Sequence, residues 1–404
     1  MRRMDEPRLR ITGRLRSIMS YDKLAGEVPR VVILRSQYWL DGACESAARG
    51  LGWQVASVPM AMEGAASREQ IAQLLDAVVS TRPDFILSIN LAGMDIDGMW
   101  ARFFDDLRVP YVAWFIDNPR TIVMDRTTYA SSHAMALTWD ESYSDYLRGV
   151  GFPHVHWLPL AADATLFNAE PPGPTKHPPT FVGNSMVDFA ERAWRTVREQ
   201  PALAALAEAA FASGAVTREN MAGGMPAIVG ADAAAGLDAE ERRHMEMLFF
   251  LEGTRRLRHE AMRALAADGV QVRGDDGWKG VVDGALPAVH YFDALPSFYR
   301  DCAVNLNFTS VQMPQAVNQR VFDCPAAGGF LLTDAQSDLT RLFGVDEIAA
   351  FSSIEACRAQ IAFYRDNDEA RRAIVRAARA RILGEHTYAH RLRTMARWVM
   401  EYFG

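Results

Sequence analysis

The chain has 404 residues, of which 49% are hydrophobic and 23% charged, enough for two or three soluble domains with complete cores. A formal net charge of −7 excludes a polynucleotide as the main partner, because nucleic-acid binders carry a basic face. No run approaches the ~18 apolar residues of a membrane span, so none is expected.

The N-terminal stretch "MRRMDEPRLRITGRLRSIM" is basic but lacks the apolar core of a secretory signal. The cysteines, Cys44, Cys302, Cys324 and Cys357, are far apart and fit no metal-ligand spacing. Both features point to the cytoplasm, with the thiols as small buried hydrophobes.

After an N-terminal extension over 1–29, strands and helices alternate. "RVVIL" (30–34) reads as a strand, 41–50 as a helix and "WQVASV" (53–58) as a second strand. In "SREQIAQLLDAVVSTRP", Ile71, Leu74, Leu75, Val78 and Val79 form the stripe of a surface helix, opened by Ser67 and Gln70 in capping-box spacing. "DFILSIN" (84–90), "YVAWFIDNP" (111–119), "AMALTWD" (134–140) and "VHWLPLAAD" (155–163) continue the series. Continuous apolar strands separated by helices predict a parallel sheet covered on both faces, hence a Rossmann-like domain over 30–170.

Five prolines between Pro171 and Thr180 predict a linker over 171–179. A second α/β domain follows over 180–384, with strands at "TFVGN" (180–184), "VQVRG" (270–274), "AVHYFD" (288–293), "AVNLNFT" (303–309) and "GFLLTD" (329–334). Between the first two lies a helical insertion, about 187–267, in which 214–236 reads as a loose loop. A C-terminal helix over 385–404 is expected to pack back on the first domain. Two doubly wound domains imply a ligand cleft at the carboxyl ends of their strands.

The segment "AVNQRVFDCPAAGGFLLTD" (316–334) predicts a helix over about 318–327 ahead of a buried strand. Arg320 falls in its first turn, where the helix dipole disfavours a cation unless an anion sits nearby. Backbone N–H groups, Asn318 and the Arg320 guanidinium would together grip a diphosphate. Asp323, one turn on, would accept hydrogen bonds from ribose or sugar hydroxyls. The alternative is an Arg320–Asp323 ion pair on a solvated face, although Val321, Phe322, Pro325 and Ala326 make the surroundings apolar.

"VNQRVFDCPAAGGFLLTD" resembles the donor-site segment of the glycosyltransferase-like family that includes spore maturation protein CgeB, within the GT-B fold group. "YVAWFIDNP", "FVGN", "FDALPSFYRDCAVNLNFTS" and "EHTYAHRL" fall in that family's order, so the resemblance spans about 30–400 apart from the insertion. It implies a glycosyltransferase moving a sugar from a nucleotide-diphosphate sugar to a protein or surface-glycan acceptor, as in modification of flagellin or spore surfaces. The nucleotide sugar would be a substrate, with no separate cofactor. Retaining relatives often carry two glutamates eight positions apart in this segment. Here Gln315 stands at the first position and Asp323 at the second, which leaves the stereochemical outcome open. Other functions compatible with the fold are a nucleotide-sugar epimerase and a non-catalytic nucleotide- or sugar-binding partner of a surface-assembly system.

Further candidates sit at strand ends. Gly183 and Asn184 end "FVGN", and Gly274 ends "VQVRG", where a missing Cβ admits phosphate to the backbone; an ordinary strand-to-helix turn is the alternative. Tyr291 and Phe292 would flank the base, or belong to the core. Asp117 ends an apolar strand before Pro119, as a general base for the acceptor, or else as a helix cap or turn-forming residue. His133 and Asp140 are weaker candidates of the same kind. His386, Tyr388 and Arg391 read as hinge packing. Asp95 and Asp97 match a D-x-D pattern that holds a metal in another transferase fold, but parallel sheets argue against that fold and no metal is expected.

Overall fold

The computed structural model describes residues 9, 11–26, 28–36, 38–60, 67–168 and 175–404. They divide into two compact units: the described residues up to Pro159 together with Tyr388–Gly404, and the described residues of Leu160–Thr387.

Unit 1 holds six parallel strands, β1 (Arg30–Arg35), β2 (Gln54–Pro59), β3 (Phe85–Ile89), β4 (Tyr111–Phe115), β5 (Ala134–Thr138) and β6 (His154–Trp157), in the order β2-β1-β3-β4-β5-β6. Every residue of β3, β4 and β5 is buried, so both faces of the sheet are covered, as continuous apolar runs require. The helix Arg68–Thr81 opens with the expected capping box: Gln70 N donates to Ser67 Oγ at 3.1 Å and Ser67 N to Gln70 Oε1 at 2.9 Å.

The C-terminal helix Tyr388–Phe403 belongs to this unit. Tyr388 is buried edge-on to Trp39 and Trp114, with ring centroids 6.0 and 6.1 Å away. Arg391 donates to Pro159 O at 2.8 Å, and burial lowers its pKa to about 10.

Unit 2 also holds six parallel strands: β7 (Thr180–Val182), β8 (Gln271–Gly274), β9 (Leu286–Pro287), β10 (Asn305–Asn307), β11 (Leu331–Asp334) and β12 (Ala349–Phe351). Their order is β12-β11-β10-β7-β8-β9. The chain starts in the middle at β7, builds outward through β8 and β9, then returns to lay β10 on the other side of β7. Doubly wound sheets bind ligands beyond the carboxyl ends of the strands at such a reversal, here between β7 and β10. Phe181, Leu306, Phe308, Leu332 and Trp278 form the core beneath that point.

Two expectations are corrected in this unit. The stretch 214–236 is no loose loop but three short helices, Arg218–Gly223, Met225–Val229 and Ala231–Ala235. Its glycines mark the breaks, while Met221, Met225, Ile228 and Ala234 bury a shared apolar face against Met245 and Phe249 of the long helix Ala239–Ala266. The segment 288–293 is not a strand. β9 stops at Pro287, which lacks a donor N–H, and Ala288, His290 and Phe292 are exposed.

Of the proline-rich stretch, 171–174 lies outside the described residues. The remainder is bonded into unit 2, with Lys176 N and His177 N donating to Asp301 O at 2.8 and 3.1 Å.

Candidate functional site

The helix carrying Arg320 runs only from Arg320 to Ala326, shorter than the expected 318–327, and contains Pro325. So short a helix has a weak dipole, and charge at this place comes from the guanidinium. Arg320 sits at its first position but reaches back to the strand ends. Nη1 donates to Asn307 Oδ1 at the end of β10 (2.5 Å), Nη2 donates to Val182 O at the end of β7, and Nε lies 3.4 Å from the Tyr299 hydroxyl. The guanidinium carbon stands 5.5 Å from the Phe181 ring centroid. Arg320 therefore spans the reversal point of the sheet. Among the described residues it pairs with no carboxylate, so the intrahelical ion pair with Asp323 does not form.

Asn307 is fixed by its own bond to Thr333 Oγ1 (2.9 Å) and by Asn318 Nδ2, which donates to Asn307 Oδ1 at 2.8 Å. Asn318 Oδ1 is buried with no hydrogen-bond partner among the described residues. Asp323 is 1% exposed. Its Oδ2 accepts from the Tyr291 hydroxyl and its Oδ1 from Gln319 Nε2, both at 2.7 Å. Burial outweighs these bonds and pushes its pKa up to about 8, with the nearby Asp163 adding to the rise. Tyr291 stands edge-on to Phe167 (5.4 Å), while Phe292 is 54% exposed.

Protein atoms lie close beside both glycines. A Cβ on Gly183 would come within 2.8 Å of the Phe181 ring and 3.5 Å of Arg320 Nη2. One on Gly274 would come within 2.2 Å of Gly183 O and 2.7 Å of the Trp278 ring, whose Nε1 donates to Gly183 O at 2.8 Å. Gly274→Ala is therefore expected to destabilise the protein by about 3 kcal/mol, measured by urea unfolding, since backbone and indole must both shift. Asn184 turns the chain after β7: its Oδ1 accepts from Met186 N at 2.6 Å.

Two further arginines, not anticipated from the sequence, come from the insertion. Arg218 donates to Thr309 O (2.5 Å) and forms an ion pair with Asp334 at the end of β11. Arg258 donates through Nη1 to Asn184 O at 3.0 Å, and its Nε is buried without a partner among the described residues. Burial, followed by the field of Arg320, lowers its pKa to about 10. The signal was present in "LEGTRRLRHEAMRALA": Arg258 shares a helix face with Thr254, Ala261, Met262 and Leu265, all buried, whereas Arg255 and Arg256 pair with Glu252 on another face.

In unit 1, Asp117 follows β4 and its Oδ2 accepts from Asn90 Nδ2 at 2.8 Å. Asn90 Oδ1 in turn accepts from Ile116 N at 2.8 Å. Asn90 and Leu91 both have positive φ, 51° and 59°, a strained pair at the end of β3. It is Asn118, not Asp117, whose side chain caps the helix Pro119–Val123.

The remaining candidates have structural partners. His133 pairs with Asp105 at 2.8 Å, and buried Asp140 accepts from Ser142 N at 3.0 Å. Asp95 accepts from Met99 N and Trp100 N, both at 2.8 Å, so one half of the D-x-D pattern is a helix cap. His386 Nε2 lies 2.9 Å from Leu342 O.

A family model described as glycosyl transferase-like matches residues 248–397. Among solved structures, the chain is similar to sucrose-phosphate synthase (tll1590) from Thermosynechococcus elongatus, with TM-score 0.52 and 10% identity over 93% of this chain and 99% of that one. It is equally similar to Anabaena Alr3699/HepE in complex with UDP and glucose, with TM-score 0.52 and 10% identity over 92% and 99% of the two chains. These likenesses show the fold: the two parallel-sheet units are those of GT-B. A search of curated protein sequences finds no match.

Proposed function

We propose that this chain is a metal-independent glycosyltransferase of the CgeB-like kind, moving a sugar from a nucleoside-diphosphate sugar held on unit 2 to a protein or surface-glycan acceptor such as flagellin. The observation that carries the reading is Arg320, a cation that has no carboxylate partner among the described residues and is anchored to both strand ends at the reversal of the sheet. An anion bound there would be neutralised where doubly wound sheets take their ligands. The glycosyl transferase-like match covers Arg320 and Asp323, and the HepE complex holds UDP and glucose, which supports a nucleotide sugar as that anion.

In this reading the acceptor hydroxyl attacks the anomeric carbon, the bond to the diphosphate oxygen breaks, and the diphosphate leaves with the electron pair. Arg320 stabilises the charge gathering on it. Gly183, Asn184, Gly274 and Asn318 form the surrounding backbone and amide contacts, Tyr291 and Phe292 flank the base, and Asp323 meets ribose or sugar hydroxyls. Asp117 takes the proton from the acceptor.

A panel of nucleotide sugars, with and without candidate acceptors, tests this. Acceptor-dependent release of nucleoside diphosphate is the expected result. Conversion of donor alone would identify an epimerase, and binding without turnover a non-catalytic partner. Asp117→Asn is expected to lower the transfer rate by about 10²-fold while leaving donor affinity unchanged, read by kinetics and calorimetry.

A further inference from the structure

We infer that Arg258, carried by the inserted helix Ala239–Ala266, is a second cation of the donor site and grips the same diphosphate as Arg320. The inference rests on the donor reading above. The two guanidinium groups bracket Gly183: Arg320 donates to Val182 O on one side and Arg258 to Asn184 O on the other. Both stand over the same ring, 5.5 and 5.8 Å from the Phe181 centroid.

Among the described residues, neither forms an ion pair with a carboxylate. Among the described residues, Asp275 is engaged by Ser185 N and Oγ (both 2.6 Å), and Asp334 by Arg218 and Thr309. Two like charges converging on one strand end repel each other: burial first, and then the field of Arg320, lowers the pKa of Arg258, and Asp334 and Asp275 offset only part of this. A strut that only held the turn after β7 would satisfy its donors internally. Arg258 instead leaves Nε buried and unbonded beside the single bond from Nη1. An anion with two phosphoryl groups, one before each guanidinium, relieves both the repulsion and the orphaned donor. The insertion is therefore part of the donor site, supplying one arm of a two-arginine clamp selective for diphosphates over monophosphates.

Calorimetry on the full chain tests this with UDP, GDP, ADP, CDP, dTDP and inorganic pyrophosphate against UMP and inorganic phosphate. Arg258→Gln is expected to weaken the best-bound diphosphate by about 10- to 100-fold, and the matching monophosphate by less than about 3-fold. If Arg258→Gln binds diphosphate like the parent while Arg320→Gln does not, Arg258 is a strut and the inference fails with the donor reading intact. If the parent binds none of the probes, the donor reading itself fails and takes the inference with it. Should Arg258→Gln not fold, the parent decides. The 15N Nε–H resonance of Arg258, assigned by its loss in Arg258→Lys, shifts on adding the bound diphosphate, and an unmoved signal overturns the inference.

Discussion

Arg320→Ala is expected to lower kcat/KM for the nucleotide sugar by about 10³-fold, with the greater part of the loss in kcat. The donor's diphosphate gains charge only as the glycosidic bond breaks, so a cation fixed beforehand by Asn307 and Val182 stabilises the transition state more than the bound donor. The substitution also removes a partner from Val182 O at a buried strand end, costing roughly 1–3 kcal/mol of stability. Thermal unfolding in parallel separates that cost from the kinetic one. Arg320→Lys keeps the charge but lacks the fork that reaches two strands at once, so it is expected to fall between parent and alanine. Parent-like turnover by Arg320→Ala would remove this site from the reaction.

The strands of both sheets were largely legible because a parallel sheet buries both faces, and apolar runs such as "DFILSIN" and "YVAWF" have few other uses. What failed was short or interrupted. β12 is three residues long and β9 two, too short for periodicity to register, and the three glycine-punctuated helices after Gly214 read as loop because each is shorter than two turns. Arg320 stood out because a cation opened a helix amid apolar neighbours. Its true anchors, Asn307 and Val182, are 13 and 138 positions away in sequence, and no local rule links them.

Arg258 escaped notice for the opposite reason. In "TRRLRHE" it is one of three arginines on a helix with a polar surface, and only its hydrogen bond to Asn184 O, just beyond β7, tells it from Arg255 and Arg256. That both positions require glycine was legible; the neighbours that impose it were not. Protein atoms, namely Phe181, Trp278 and the Gly183 carbonyl, fill the space their missing side chains leave.

Asp323 is expected to make the stability of the fold fall as pH rises toward 8. Its folded pKa is raised to about 8 from an unfolded value near 4, so between those limits the native state holds a proton that the unfolded chain has lost. One proton difference changes the folding equilibrium about tenfold per pH unit, and the full loss, complete above about pH 8, approaches roughly 5 kcal/mol. Asp323→Asn removes the titration yet keeps the shape. The amide oxygen accepts from Gln319, and the amide nitrogen donates to a Tyr291 oxygen that can serve as acceptor. Urea unfolding at pH 4, 6, 8 and 9 should therefore give parent and Asp323→Asn similar stabilities at pH 4, an advantage for Asp323→Asn that widens up to about pH 8 and a level difference beyond it; parallel curves would mean that the buried carboxyl does not titrate in this range. Donor affinity should move the other way. Ribose hydroxyls donate better to a carboxylate than to its neutral acid, so a donor touching Asp323 binds more tightly as pH passes about 8, while a donor that misses it leaves affinity flat across the same interval.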